Sequence, residues 1–127
     1  MTNTATALYK FFSGFGLPAF VEYNVPDEMP DGTPVKPPYI TYQVVNPDWP
    51  DSAPLYARVW YRDTSYAAIN ATVDAIEAAV KGGITIPTEG GCVVLNKGTP
   101  FAQEQPMEGD DTLKVYYLLF EIMAPTD

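Results

Sequence analysis

The stretch "YARVWYRDTSYAAINATVDAIEAAV", residues 56–80, decides the fold. Together with the preceding Leu55 it begins by alternating. Tyr56, Arg58, Trp60 and Arg62 fall on one side, and Leu55, Ala57, Val59 and Tyr61 on the other, which is the two-residue period of a strand. The period then changes. Tyr66, Ile69, Val73, Ile76 and Val80 step by three and four, so one apolar stripe runs along a helix predicted over 64–80. Asp63, Thr64 or Ser65 can cap its start, and Lys81 with Gly82 and Gly83 ends it. Alanines at 67, 68, 71, 75, 78 and 79 favour the helix and keep it thin, which permits close packing on a sheet or on a neighbouring subunit.

Upstream, Leu8, Phe11, Phe12 and Phe15 have mostly helical spacing until "GFGLP" stops the pattern, so a short amphipathic helix is expected over residues 3 to 14. "AFVEY" reads as a brief strand. "NVPDEMPDGTPVKPP", with five prolines in fifteen residues, can form neither a helix nor a central strand. "YITYQVV", residues 39–45, is a strand, with Ile40, Tyr42 and Val44 on one face, and it is predicted to pair antiparallel with 55–62 across the turn-rich "NPDWPDSAP". Downstream, "ITIP" and "CVVLNKG" form a strand pair around "TEGG". "TPFAQEQPMEGDD" is a third long polar loop, and "TLKVYYLLFEIM", residues 112–123, is a final strand. Apolar side chains on both of its faces require cover from both sides, by helices or by another chain.

The expected architecture is therefore a single α+β domain: a mainly antiparallel sheet covered on one face by two helices, with long Pro/Gly/Asp loops. A length of 127 residues suits one domain that buries roughly 65% of its unfolded surface.

Composition narrows the function. The net charge of −9 disfavours nucleic-acid binding, which rests on Lys and Arg neutralising phosphates, but it suits an acidic wall past which DNA slides. The single Cys92 excludes an intramolecular disulfide, and neither a leader pattern nor an apolar run of membrane-spanning length is present, so a cytoplasmic protein is expected. There is no histidine, hence no Ser/His/Asp triad, no Cys/His pair and no imidazole zinc ligand.

Carboxylates gather in "PDEMPDG" (Asp27, Glu28, Asp31), "PDWPD" (Asp48, Asp51) and "EGDD" (Glu108, Asp110, Asp111), and each group is read as a solvated turn rather than a metal or acid-base site. The glycine pairs lack the phosphate-loop pattern, and Cys92 reads as a small buried hydrophobe. No catalytic, cofactor or metal residue is assigned, and the chain is expected not to be an enzyme.

The aromatic residues point to protein contacts instead. Tyr39, Tyr42, Tyr56, Tyr61, Tyr116, Tyr117 and Trp60 lie on predicted strands, where they serve a core or a subunit interface. Trp49 and Phe101 lie in predicted loops, where each either anchors a partner or folds back onto its own domain, and both are candidate interface residues. Alanine at either position is expected to spare folding and weaken assembly. With Tyr56, Arg58, Asp48, Asp51, Glu108, Asp110 and Asp111 they make up the candidate interface.

Taken together, "LYKFFSGFGLPAF", "VPD", "PPYITYQVV", residues 56–80, the double glycines, and "NKGTPFAQ" followed by "DDTLKVYYLLFEI" resemble small proteins of long-tailed phages and prophages. The resemblance spans nearly the whole chain and is to tail terminators and related tail-completion or head-tail joining proteins. It implies an α+β subunit that forms a ring, commonly a hexamer, on the end of the tail tube. Its partners would be further copies of itself, the tail tube protein and the head connector, and no cofactor is needed. The protein would be found in the host cytoplasm during assembly and then in the virion tail or neck. A neck or minor capsid role, a monomeric adaptor using Trp49 or Phe101, and a carboxylate and metal enzyme are the alternatives.

Overall fold

A computed structural model describes residues 2–125. The chain runs α1 (Thr2–Phe12), a single 3₁₀ turn (Ser13–Phe15), β1 (Ala19–Val21), β2 (Tyr39–Tyr42), β3 (Ala53–Arg62), α2 (Ala67–Val80), β4 (Ile84–Thr88), β5 (Gly91–Glu104) and β6 (Leu113–Met123). The strands form one sheet in the order β1-β2-β3-β6-β5-β4. Every pairing is antiparallel except that of β1, which lies parallel to β2 with Ala19 beside Ile40. The domain is α+β, and its sheet is mixed rather than purely antiparallel.

The strand-to-helix junction forms for the reasons its sequence suggests, with a shift at the start. Leu55, Ala57 and Val59 are fully buried, whereas Tyr56, Arg58 and Trp60 are only partly buried on the opposite face. The helix begins at Ala67 instead of 64. Asp63 and Ser65 spend their side-chain oxygens on the amides of Ser65 (3.1 Å) and Ala67 (3.0 Å), which builds a turn ahead of the helix. The carbonyl of Tyr66 then accepts the amide of Asn70 and starts the helical ladder. At the far end Gly82 and Gly83 take φ of 81° and 85°, and the Gly83 amide bonds back to the carbonyl of Val80 at 2.9 Å.

Both helices lie on one face. Leu8 and Phe12 of α1, together with Ile69, Val73, Ile76 and Val80 of α2, bury against Ile40, Tyr42, Leu55, Ala57, Val59, Leu95, Leu118, Phe120 and Ile122. Phe120 is the centre of this core. The rings of Phe12, Phe11 and Phe101 meet it edge-on at 5.5, 6.1 and 5.3 Å, the geometry aromatic quadrupoles prefer.

The third long loop is shorter than expected, and so are two strands, β1, which ends at Val21, and β2. β2 ends at Tyr42 rather than at 45, although the Gln43 amide still bonds to Tyr56. β5 continues to Glu104, so half of the expected third loop is strand. This continuation passes through a bulge: Lys97 pairs with Phe120 and Ala102 with Leu118, so five steps along β5 face two along β6.

Gly98 lies in that bulge, where an added Cβ would run into the Leu119 side chain at Cγ and stand 2.9 Å from the Leu119 carbonyl oxygen. Gly98→Ala is therefore expected to cost about 1–3 kcal/mol, because both the Leu119 side chain and its backbone carbonyl must yield. The readout is a lower denaturant midpoint at constant slope, and an unchanged midpoint would mean that the bulge tolerates a side chain.

Candidate functional site

The side of the sheet opposite the helices carries the candidate site. On β3 it presents Tyr56, Arg58, Trp60 and Arg62. Their β6 neighbours in register are Leu119, Tyr117, Val115 and Leu113. Phe20 of β1 and Tyr39 of β2 extend the row, with ring centroids at 5.8 Å from Phe20 to Tyr39 and 5.9 Å from Tyr39 to Trp60. Tyr56 meets Tyr117 edge-on at 4.9 Å. Most of these residues are partly buried, Arg62 is exposed and Val115 is buried, and among the described residues no helix of this chain covers that face.

Arg58 organises the middle of the face. Its guanidinium lies 4.5 Å from the centre of the Tyr117 ring, its Nε donates to Oε1 of Gln105 at 3.2 Å, and its Nη1 makes an ion pair with Glu22. Trp60 is fixed as well, since its indole N–H donates to the Thr41 hydroxyl at 3.0 Å. Between them runs a groove of about 410 Å³, lined by Tyr23, Val25, Tyr39, Trp60, Arg58 and Gln105 with Glu22 and Thr41. Tyr23 stands 94% exposed on its rim with φ of 66°, an uncommon backbone conformation for a residue other than glycine.

The remaining expected interface residues fall in three places. Trp49 is 52% exposed at the tip of a turn closed by the Asp51 amide on the carbonyl of Asp48 (2.8 Å), so Asp48 and Asp51 flank the indole. Phe101 is not an exposed anchor: only 6% of it is accessible, and it packs on Phe120. The sequence reading placed it in a loop because "GTPF" is rich in turn residues. The β5 bulge instead turns Phe101 inward, so the expectation that Phe101→Ala spares folding is corrected.

Asp110 is a staple within the fold. Its Oδ1 accepts from the Thr112 hydroxyl and amide and from the Leu113 amide, and its Oδ2 accepts from Arg62 at 2.8 Å. Glu108 and Asp111 lie exposed beside it.

These bonds, led by the one from Arg62, hold the Asp110 carboxyl at a pKa of about 2, below the ordinary 3.8. A lowered folded-state pKa gives stability that is present above the unfolded value and is lost as pH falls through the folded one. Acid titration of wild type should therefore show a loss of stability from about pH 4 to about pH 2 that Asp110→Asn lacks, measured by denaturant midpoints at each pH. Equal slopes for the two proteins would remove Asp110 from the acid response. A second hydrogen-bonded pair, the Tyr66 hydroxyl with Glu104, raises the Tyr66 pKa by favouring the neutral phenol.

Sequence reasoning found Tyr56, Arg58 and the aromatic strands but missed Glu22, Gln105 and Tyr23. Glu22 joins Arg58 only because β1 lies parallel to β2, and no local pattern announces that pairing. Among the described residues no group of three or more His, Cys, Asp or Glu is arranged to hold a metal ion, and no helix is long and apolar enough to cross a membrane. No protein-family model matches the chain, and no curated protein or solved structure matches it either.

Proposed function

We propose that this protein is a structural subunit of a long-tailed phage or prophage virion, closing a ring on the end of the tail tube and joining tail to head. The observation that carries the reading is the open sheet face. Tyr, Trp and Arg are the residues enriched at the cores of protein interfaces, and here they lie side by side on strands whose other face is already filled. A row of partly exposed aromatic side chains on rigid strands supports a partner chain on this face. The resemblance of the sequence to tail terminators supplies the partner class: further copies of the subunit, the tube protein and the head connector. The net charge of −9 suits a channel past which DNA slides without adhering. The work is done by binding alone and needs no cofactor.

The test is native mass across a wide concentration range, with electron images of the oligomer, on the protein alone and with isolated tail tubes. A closed ring with a central channel is expected. A monomer that stays monomeric in both settings and shows no affinity for tubes would defeat the proposal and favour an adaptor.

A further inference from the structure

In a chain of net charge −9, the groove on the open face is electrically neutral. Its lining holds one cation, Arg58, and one anion, Glu22, and the two are paired with each other. A charged ligand of either sign finds no uncompensated counter-charge there, and an anion is also repelled by the molecule as a whole. An uncharged ligand meets neither obstacle.

The polar groups of the groove are fixed in place but not used up. The Glu22 side chain is only 9% exposed, and its carboxylate keeps lone pairs beyond the one that meets Arg58. Arg58 spends Nε on Gln105 and Nη1 on Glu22. Among the described residues its Nη2 has no partner, and neither has the amide nitrogen of Gln105. No buried side-chain nitrogen or oxygen among those residues is left unsatisfied, so the two spare nitrogens are open to the groove and not sealed in protein. The Thr41 hydroxyl accepts from Trp60 and retains its own proton. Donors and an acceptor thus stand side by side, a set that suits hydroxyl groups, each of which donates one hydrogen bond and accepts others.

The rest of the wall is aromatic. Tyr39 and Trp60 are register partners whose rings lie 5.9 Å apart with planes tilted by 32°, and Trp60 is held by its bond to Thr41. Such rings lose little freedom when a ligand arrives. Tyr23 stands at the rim, 94% exposed and at φ 66°, a backbone strain for which its side chain returns nothing to the core. A volume of about 410 Å³ falls in the range of small-ligand sites. A sugar ring has the matching two-sided character: weakly positive C–H groups on its face, which the negative face of an aromatic ring attracts, and hydroxyls around its edge. A proline-rich peptide would use the same rings. Its prolines carry no N–H, however, and would leave the Glu22 carboxylate unmatched.

We propose that this groove binds an uncharged saccharide. Its C–H face lies on Tyr39 and Trp60, its hydroxyls bond to Glu22, Arg58 and Gln105, and Tyr23 flanks it at the rim. The site is distinct from the assembly role proposed above and does not rest on it.

The experiment uses the full chain carrying Trp49→Phe, which leaves Trp60 as the only indole. Uncharged di- and trisaccharides of hexoses, pentoses and N-acetylhexosamines are titrated in turn, beside an acidic oligosaccharide and a proline-rich peptide, with binding followed by calorimetry and by Trp60 fluorescence. At least one neutral sugar is expected to bind saturably and to shift the emission. Tyr23→Ala, at a position too exposed to disturb folding, should weaken that binding about 2- to 10-fold, the loss of one aromatic contact. Tyr9→Ala, an exposed tyrosine on α1 across the sheet, should leave it unchanged. Failure of every neutral sugar to bind would overturn the proposal, and so would binding of the peptide or the acidic sugar alone. A neutral sugar whose binding is silent at Trp60, or indifferent to Tyr23→Ala, would remove the groove as its site.

Discussion

Phe101→Ala is expected to lower the free energy of unfolding by about 3–5 kcal/mol, the usual cost of removing a phenylalanine ring from a close-packed core. The ring lies against Phe120 at 5.3 Å and is 6% exposed, and Phe120 in turn touches Phe11 and Phe12, so the cavity would open at the centre of the aromatic cluster. Little can collapse into it. On one side the β5 bulge is held at Gly98 against the Leu119 backbone, and on the other Phe120 is fixed by its neighbours. For a domain of this size the change corresponds to a drop in Tm of roughly 10–20 °C. Trp49→Ala should leave Tm nearly unchanged, since its side chain lies largely in solvent. Thermal melts of the two variants side by side decide the matter. A wild-type Tm for Phe101→Ala would return that residue to the surface.

Arg58→Met has the second large effect, and the reason lies in the residue left behind. The side chains of Arg58 and Glu22 are 18% and 9% exposed, so removing the guanidinium leaves a carboxylate with little access to water and no cation beside it. Loss of one partner from such a pair typically costs about 3–5 kcal/mol, most of it the penalty of the stranded charge rather than the worth of the pair. The double variant Arg58→Met with Glu22→Leu should recover most of that loss, because the desolvated charge is gone and apolar volume replaces it. Denaturant unfolding of the four proteins in the cycle gives the coupling. If the double variant is no more stable than Arg58→Met alone, the ion pair is not what Arg58 supplies, and its bond to Gln105 and stacking on Tyr117 are. Lysine cannot substitute: it offers neither the Nε donor nor a planar face for the Tyr117 ring.

Much of the fold was legible because it obeys local periodicity. Residues 55–62 alternate and residues 66–80 step by three and four, and each period names one face that must be buried. In the structure Leu55, Ala57, Val59, Ile69, Val73, Ile76 and Val80 are the residues that fill the core. The same reasoning placed apolar side chains on both faces of β6, and these supply Leu118, Phe120 and Ile122 to the core and Val115, Tyr117 and Leu119 to the open face. Where turn chemistry and strand geometry conflict, the local reading failed. "GTPFAQE" carries Gly and Pro, yet a bulge absorbs both and the strand continues to Glu104.

The candidate site was legible in its residue types and not in its assembly. Arg58 and Tyr56 were found because they share the non-core face of β3. Asp110 was grouped with Glu108 and Asp111 as solvated turn acids, yet its oxygens are spent on Thr112, Leu113 and Arg62. A run of carboxylates looks uniform in sequence, and only their donors distinguish one from another.

By itself the sequence determined the periods of the main elements, the α+β class, the exclusion of histidine chemistry and the acidic surface, because each of these depends on residue types at short spacing. Tertiary structure alone decided that β1 runs parallel to β2 and brings Glu22 to Arg58, that the β5 bulge turns Phe101 inward, and that, among the described residues, one sheet face has no helix over it. Those are facts about residues tens of positions apart. Their pairing is set by which closed arrangement buries the most apolar surface with its backbone hydrogen bonds satisfied, a condition on the whole chain that no local window contains.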